Sequence, residues 1–493
     1  MSGSSIARQQ FRVDSLRRGS WRQRVGAVCV LYAATAIALP AQTFTTLFGF
    51  DGGTGLTPLG SLVQGINGDG YGTTYGGGAK GHGTVYKITP NGRLVTVYSF
   101  CSESGCADGA YPYGGLVQGA TGNFYGTTYE GGGACDCGTV FEITPAGTLT
   151  TLHKFAGTDG AYPYAALVLA TNGYLYGTTE YGGAYCGPTG CGTVFKLSPD
   201  GTFTTLHSFC AESGCKDGEH PYAGLVQAVN EDGYGTTTGG GATGHGTVFK
   251  ITGAGTLTTL YSFTGGADGG DPVGGLIQAA NGEFYGTTEY GGANCAPAGC
   301  GTVFKITQNG TLSTLYSFCA KTGCTDGNGP VARLVQATNG DFYGTTTVGG
   351  ANDDGTIFEI TGTGTLTPLY SFTGGTDGDN PVAGLVQATN GEFYGTASVG
   401  GASGDGTIFT LAVGLGPFVE TLPTSGDVGG AITILGSDLT GATSVSFNGT
   451  PAVFDVVSAT EITTTVPSAA TTGTVQVVTP TGTLSSNVTF RVM

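Results

Sequence analysis

The sequence is poor in charged residues and in tryptophan. Of the 493 residues only 10% are charged, and the single tryptophan is Trp21. No stretch keeps a helical period, which argues against long amphipathic helices. No Gly-rich loop is followed by the Lys and helix of a phosphate cradle, and no Cys-x-x-Cys spacing of a redox site occurs.

Glycine and aromatic residues are abundant instead. Glycine supplies 95 residues, and 10% of the chain is aromatic. A chain with this much apolar material is not a disordered linker, and so many glycines are typical of turns between short strands. A single core rarely grows beyond about 250–300 residues. The composition therefore predicts an all-β protein with two or more domains.

The N-terminus has the pattern of an export signal. Six arginines between Arg8 and Arg24 precede an apolar run at residues 25–41. We expect a signal peptide over residues 1–41 that is cleaved near Ala41, and a retained membrane anchor is the alternative. The leader holds six of the 17 Lys and Arg and one of the 34 Asp and Glu, which leaves a net charge of −22. This charge argues against nucleic acid or anionic membrane as partner, and it favours solubility outside the cell or at its surface.

A tandem repeat fills most of the chain. Each unit runs in the order GLVQA, an Asn-Gly-like turn, FYGTT, a Gly-rich loop, GTVFKI, a second turn and TLTTLYSF. The Tyr-Gly-Thr signature starts at Tyr71, Tyr125, Tyr176, Tyr234, Tyr285, Tyr343 and Tyr394. Four short segments rich in β-branched and aromatic residues, repeated about every 50 residues, predict a seven-bladed β-propeller.

The order of the segments also predicts how the ring closes. The first copy of the TLTTLYSF segment, residues 44–50, precedes the first Tyr-Gly-Thr, and the last unit ends after residues 406–411 without one. Residues 44–50 should therefore form the outer strand of the last blade and remove an exposed sheet edge. An open β-solenoid is the alternative, but it has no use for the displaced strand.

A different domain follows the propeller, which we assign to residues 42–413. A hinge at 414–416 leads to short strands at 417–493 without cysteine. The characteristic residues are Pro423, Gly426, Gly430, Ile-Thr-Ile at 432–434, Gly436, FNGTPA at 447–452, Thr-Val-Pro at 465–467 and Asn-x-x-Phe at 487–490. This pattern resembles the IPT/TIG domain, which implies an immunoglobulin-like β-sandwich that acts as a spacer or interaction module and carries no catalytic residue.

The propeller units have a family resemblance of their own. Tyr-Gly-Thr-Thr, the following Gly-Gly and Gly-Thr-Val-Phe-Lys-Ile resemble the Gloeo/Verruco-type (GloVer) tandem repeats of bacterial exported proteins, over about residues 43–411. The resemblance implies export, and the family offers no established biochemical activity to carry over to this chain.

Topology indicates which face of the propeller binds. Strand direction alternates within a blade, so the short 1–2 and 3–4 turns share one face and the long 2–3 and 4–1 loops share the other. Long loops on a rigid scaffold commonly carry binding residues. The candidates on that face are Glu180 with Tyr181 and Glu289 with Tyr290, in matching Thr-Thr-Glu-Tyr-Gly-Gly loops, and His82 and His245, in matching Gly-His-Gly-Thr loops. Each is also compatible with an ordinary loop residue.

The twelve cysteines beyond the leader form six local pairs. An exported chain with an even number predicts disulfides first. The pairs are Cys101/Cys106, Cys210/Cys215 and Cys319/Cys324 in 4–1 loops, and Cys135/Cys137, Cys186/Cys191 and Cys295/Cys300 in 2–3 loops. Zinc is the alternative, but it would require pairs from different loops to converge.

Asp-Gly pairs recur in the 4–1 loops. They could place a ring of oxygens around the channel for a cation such as Ca²⁺, or they could serve as turn residues whose side chains bond nearby backbone N–H groups. We favour the turn role and expect no cofactor, because no Asp-x-Asp-x-Asp-Gly run is present. The aspartates are Asp51, Asp108, Asp159, Asp217, Asp268, Asp326 and Asp377.

The sequence therefore predicts an exported, non-enzymatic binding or structural protein, secreted or displayed at the surface. We expect a monomer without a membrane span after signal cleavage, whose loop face contacts a glycan or protein ligand. The competing class is a carbohydrate-active lyase or hydrolase on the same face, with Glu180 and Glu289 as paired carboxylates. That class rests on fold analogy.

Overall fold

The structure is a computed structural model that describes residues 42–187 and 189–493. These residues contain no α-helix, and the helical elements among them are two 3₁₀ turns, Ser104–Cys106 and Thr322–Cys324. The expected signal peptide at residues 1–41 lies outside the described residues and stays a prediction. The described part of the chain also holds no helix with the length and apolar character needed to cross a bilayer.

Six consecutive repeats each form one antiparallel four-stranded sheet, from a two-residue inner strand to a six-residue outer strand. In blade order the strands are Val63–Gln64, Gly70–Thr74, Thr84–Ile88, Leu94–Ser99; Val117–Gln118, Phe124–Thr128, Thr139–Ile143, Leu149–Lys154; Val168–Leu169, Leu175–Thr179, Thr193–Leu197, Phe203–Ser208; Val226–Gln227, Gly233–Thr237, Thr247–Ile251, Leu257–Ser262; Ile277–Gln278, Phe284–Thr288, Thr302–Ile306, Leu312–Ser317; and Val335–Gln336, Phe342–Thr346, Thr356–Ile360, Leu366–Ser371.

The seventh blade joins the two ends of the repeat region. Its inner three strands are Val386–Gln387, Phe393–Ala397 and Thr407–Ala412, and its outer strand is Thr43–Gly49, which we call the latch strand. The latch strand pairs antiparallel with Thr407–Ala412, from Thr43 opposite Ala412 to Gly49 opposite Thr407. The predicted all-β propeller of seven blades, closed by its N-terminal strand, is confirmed.

The repeat signature follows from packing between strands. The glycine of Tyr-Gly-Thr lies opposite the aromatic residue of the third strand, and a Cβ on Gly286 would stand 2.7 Å from the Phe304 ring. The tyrosine before it is held by the turn, since Asn281 Nδ2 donates to Tyr285 Oη over 3.1 Å. The glycine of the signature is therefore required by the close contact with the third strand, and the tyrosine is held in place by a hydrogen bond from the 1–2 turn.

Glutamines on the inner strands link neighbouring blades. Gln278 Oε1 accepts the backbone N–H of Val229 from the preceding blade over 3.1 Å. The same bond closes the ring, where Gln64 Oε1 of the first blade accepts from Thr389 N of the seventh over 2.8 Å. The third blade has Leu169 at this position. The glutamine of the GLVQA segment is thus a connector between blades.

The C-terminal part is an immunoglobulin-like β-sandwich, as the IPT/TIG resemblance implied. Its core includes Val445, Ile462 and Val477, all at most 1% exposed. One sheet comprises Glu420–Leu422, Ala431–Leu435, Glu461–Thr465 and Phe454–Val456; the other comprises Thr450–Ala452, Ser444–Phe447, Val475–Thr479 and Gly482–Ser485; a parallel pair joins Ser425–Gly426 to Arg491–Val492.

The sandwich sits on the propeller face that carries the 1–2 turns. Thr460 Oγ1 donates to the carbonyl of Ile66 in the first blade over 3.0 Å. Phe418 N donates to Thr389 O in the seventh blade over 3.0 Å. Arg491 Nη2 lies 2.8 Å from a carboxylate oxygen of Glu231 in the fourth blade. The first and seventh blades are neighbours, and the fourth blade lies on the far side of the ring. The sandwich therefore extends across the centre of the ring.

Candidate functional site

The seven inner strands surround a central channel of about 1120 Å³. Three residues of the sandwich, Glu420, Leu422 and Leu435, line the same space. They form a floor at the end covered by the sandwich. The channel therefore opens towards the face of the 2–3 and 4–1 loops.

The mouth of the channel repeats one backbone arrangement seven times. In the third blade Tyr162 precedes a proline and has φ of 57°. Its N–H donates to Cys137 O over 2.9 Å, and its carbonyl accepts from Glu180 N over 3.1 Å. Left-handed backbone at a residue other than glycine costs roughly 1–2 kcal/mol, and residues before proline normally adopt extended conformations. Such strain is commonly found where the chain positions functional side chains.

Three rings of side chains result from this arrangement, and their chemistry differs from blade to blade although the backbone does not. The pre-proline ring comprises Thr57, Tyr111, Tyr162, His220, Asp271, Gly329 and Asn380, of which Asp271 and Asn380 line the channel. The post-proline ring comprises Leu59, Tyr113, Tyr164, Tyr222, Val273, Val331 and Val382. The strand-end ring, which follows the second strand, comprises Tyr75, Tyr129, Glu180, Thr238, Glu289, Thr347 and Ser398, of which Glu180, Thr238, Glu289 and Thr347 line the channel. Positions that vary on a constant scaffold are free to specify a ligand.

Tyrosines form one side of the mouth. Tyr164 lies between Tyr113 and Tyr222, with ring centroids 3.5 Å and 3.7 Å away. Burial raises the pKa of Tyr164 far above the ordinary value, and it raises the pKa of the neighbouring Tyr129 to about 12. These side chains therefore remain neutral phenols with an apolar face and a polar tip. Sequence reasoning missed the post-proline tyrosines, although Pro-Tyr in three repeats against Pro-Leu or Pro-Val in four was a readable signal.

Carboxyl groups of the third and fifth blades also line the channel. Two of the predicted candidates, Glu180 and Glu289, line the channel together with Asp271. Burial raises the pKa of each of the three, and Asp271 raises that of Glu289 further. Hydrogen bonds from Tyr181 and Tyr290 act in the opposite direction on their neighbouring glutamates. The structure thus brings the matching Glu-Tyr loops to one mouth.

The two candidate histidines lie behind the mouth. The His82 ring packs against Tyr111 at 5.0 Å, and its buried Nδ1 has no hydrogen-bond partner among the described residues. The His245 ring covers Gly265, where a Cβ would stand 2.7 Å from it. Neither histidine is among the described residues that line the channel. Each supports a loop that shapes the mouth.

The Asp-Gly aspartates bond within their own loops. Tyr98 Oη donates to Asp108 over 2.8 Å, and Ser102 N donates to the same carboxylate over 2.9 Å. Four others accept similarly from a ring of the outer strand and from loop N–H groups, namely Asp217, Asp268, Asp326 and Asp377. Asp159 accepts from Ala156 N and pairs with His153. None of these aspartates is among the described channel-lining residues, so they do not form the hypothesised oxygen ring around it.

All six cysteine pairs are joined as disulfides. In the third and fifth blades the two disulfides of one blade also meet, and Cys191 Sγ lies 3.1 Å from Cys210 Sγ. Pairs from different loops do converge, therefore, but the sulfur atoms are already bonded to each other. Each disulfide closes its own loop, and in the third and fifth blades the disulfides of the 2–3 and 4–1 loops pack against each other.

The fold and its repeats define a tandem-repeat β-propeller protein with a C-terminal sandwich. The chain belongs to the family of the Gloeobacter/Verrucomicrobia repeat, whose model matches residues 30–189, 185–409 and 296–443. The model of the IPT/TIG domain matches residues 418–492. Both resemblances expected from the sequence are confirmed.

Solved structures show the same architecture at low identity. A streptogramin B lyase superimposes with a TM-score of 0.51 at 16% identity, covering 75% of this chain and 97% of that chain. A fungal alcohol oxidase of the AA5 family, in complex with copper, superimposes with a TM-score of 0.51 at 12% identity, and the match covers 92% of this chain and 98% of that chain. At these identities the likeness concerns the fold. No curated protein matches the sequence.

Proposed function

We propose that the protein is an exported, non-enzymatic binding protein that holds the end of a glycan chain in the mouth of the propeller channel. The observation that carries this proposal is the set of three rings, in which side chains vary on a constant and strained backbone. The disulfides are consistent with an oxidising compartment outside the cytoplasm.

The chemistry of the mouth supports a sugar ligand. Tyr113, Tyr164 and Tyr222 offer apolar faces with hydroxyl groups at their tips, and Glu180 and Glu289 offer acceptors for hydroxyl groups. A binding site of this kind combines mostly apolar contact with a few placed polar groups. Aromatic rings also contribute a large contact area without ordering many side-chain torsions.

The covered floor supports binding of a chain end. A polymer that passed through the ring would need two open mouths, and the sandwich lies across one of them. A terminal segment of the glycan enters from the loop face, and the remaining chain stays outside.

A carbohydrate-active lyase or hydrolase is the second candidate. It is favoured by Glu180, Asp271 and Glu289, whose pKa values are all raised at the channel mouth. Perturbed carboxyl groups in a cleft are a common property of catalytic sites.

A glycan array with parallel polysaccharide-cleavage assays tests both candidates. Tyr164→Val introduces the side chain that the last three blades carry at this position, so it should leave the fold intact and weaken glycan binding at least tenfold. Tyr174→Glu, on the sandwich face, is the matched control because the fifth blade has Glu283 there, and it should bind as the unaltered protein does. Equal binding by both variants would refute the site. Cleavage that is abolished by Glu180→Gln would favour the enzyme.

A further inference from the structure

One channel-lining position differs sharply between the blades. Arg333 lies two residues before the inner strand of the sixth blade, Val335–Gln336, and lines the channel below the mouth. The corresponding residues of the other blades are Ser61, Gly115, Ala166, Gly224, Gly275 and Gly384. Small residues suffice for the fold at this position. The arginine is therefore an addition that the propeller does not need.

The guanidinium group of Arg333 has no partner among residues 42–187 and 189–493. No hydrogen bond or ion pair to it occurs among the described residues. Its Cδ lies 3.7 Å from the position of a Cβ on Gly275, so the side chain extends along the channel wall. The Arg333 side chain is exposed to the channel, so its charge faces the channel space and not a protein anion. Arginine stays charged in proteins. A guanidinium that faces an open channel is available to an anionic group of an entering ligand.

We propose that Arg333 binds an anionic group, a carboxylate, sulfate or phosphate, carried on the terminal unit of the ligand that enters the channel. The planar guanidinium donates two parallel hydrogen bonds to such a group. Arg333 is the sole cation among the described channel-lining residues. The inference rests on the proposed function, since it names the ligand's end group.

The carboxyl groups above Arg333 restrict the ligand further. Glu180, Asp271 and Glu289 line the mouth, so a polymer with a charge on every unit would place anions against them. A neutral chain places hydroxyl groups there instead. The site therefore selects a glycan with an anionic end unit and neutral units behind it.

Free anions provide a direct test, because they need no knowledge of the neutral chain. The thermal unfolding temperature of the full chain is measured with increasing glucuronate, sulfate and inorganic phosphate at constant ionic strength, with chloride as reference. A ligand that binds the folded state raises this temperature. At least one of the three anions should raise it more than chloride does, and Arg333→Gly should abolish that difference. The variant carries the residue of four sister blades and should fold normally.

Two results would overturn the inference: no anion-specific shift in the unaltered protein, or the same shift in Arg333→Gly, which would indicate an ion bound elsewhere. Arg333→Lys keeps the charge but loses the paired donors, so it should retain part of the shift. For a glycan with a terminal glucuronate, loss of Arg333 should weaken binding roughly 10- to 100-fold. If Arg333→Gly leaves the binding of this glycan unchanged while Tyr164→Val weakens it, the role of Arg333 is wrong and the proposed function stands. If Tyr164→Val also leaves the binding unchanged, the proposed function is wrong.

Discussion

Removal of residues 43–50 should sharply destabilise the whole propeller. Phe50 is 1% exposed, and its ring packs 5.3 Å from Tyr86 of the first blade. Truncation of a buried phenylalanine costs about 3–5 kcal/mol. Phe44 stacks on Tyr370 at 3.8 Å, and such an aromatic pair contributes about 0.5–1.5 kcal/mol beyond its buried area.

The deletion also leaves Thr407–Ala412 as an exposed edge strand. The summed loss approaches the ~5–15 kcal/mol that stabilises a typical domain. Urea unfolding followed by circular dichroism should show a transition at much lower urea for the truncated protein. A synthetic peptide of residues 43–50, added in excess, should restore part of the stability by supplying the strand in trans.

Phe263→Ala provides the comparison, because Phe263 occupies the equivalent position in the fourth blade and is 0% exposed. It should cost about 3–5 kcal/mol without opening the ring, and no peptide should rescue it. If the truncated protein unfolds at the same urea concentration as the intact one, the latch strand does not close the ring and the reasoning fails.

Three further predictions concern the floor, the blade connectors and the cross-links. Burial raises the pKa of Glu420 above its ordinary 4.5, so its stabilising contribution is present below that value and is lost as the pH rises through the raised pKa of the folded state. At pH 7.5 the unfolding midpoint of Glu420→Gln should therefore lie at higher urea than that of the unaltered protein, and this difference between the midpoints should shrink towards pH 4.5. A difference that does not change with pH would contradict this prediction. Gln64→Leu removes the bond to Thr389 and copies Leu169 of the third blade, so it should cost about 1 kcal/mol in urea unfolding; a cost near zero would show that water replaces the bond. The unreduced exported protein should show no free thiol towards Ellman's reagent under denaturing conditions, and reactive thiols there would contradict the six disulfides.

The architecture was predictable because the sequence repeats it. Seven Tyr-Gly-Thr signatures fixed the number of blades, and the displaced first copy of the outer strand, residues 44–50, indicated how the ring closes. Motif residues such as Pro423 and Gly436 likewise indicated the sandwich. Each of these signals is local, and those of the propeller are also periodic.

The site was harder to predict for the opposite reason. Tyr164 and Arg333 are informative because they depart from the repeat, and their meaning emerges only when seven strands meet around one channel. Of the predicted candidates, Glu180 and Glu289 do reach the mouth, whereas the aspartates of the 4–1 loops serve their own turns. The sandwich covers the floor through contacts such as Thr460 with Ile66. Such a contact between surfaces leaves no trace in the periodicity.

The three rings also make specificity modular. One blade contributes one residue to each ring, as Tyr162, Tyr164 and Glu180 do for the third, and all three lie within a single repeat. Duplication or recombination of a repeat therefore moves all three ring residues of one blade together to a position with the same backbone conformation. A protein built in this way can acquire a new ligand by exchanging whole blades, with no need to redesign the loops that hold the side chains.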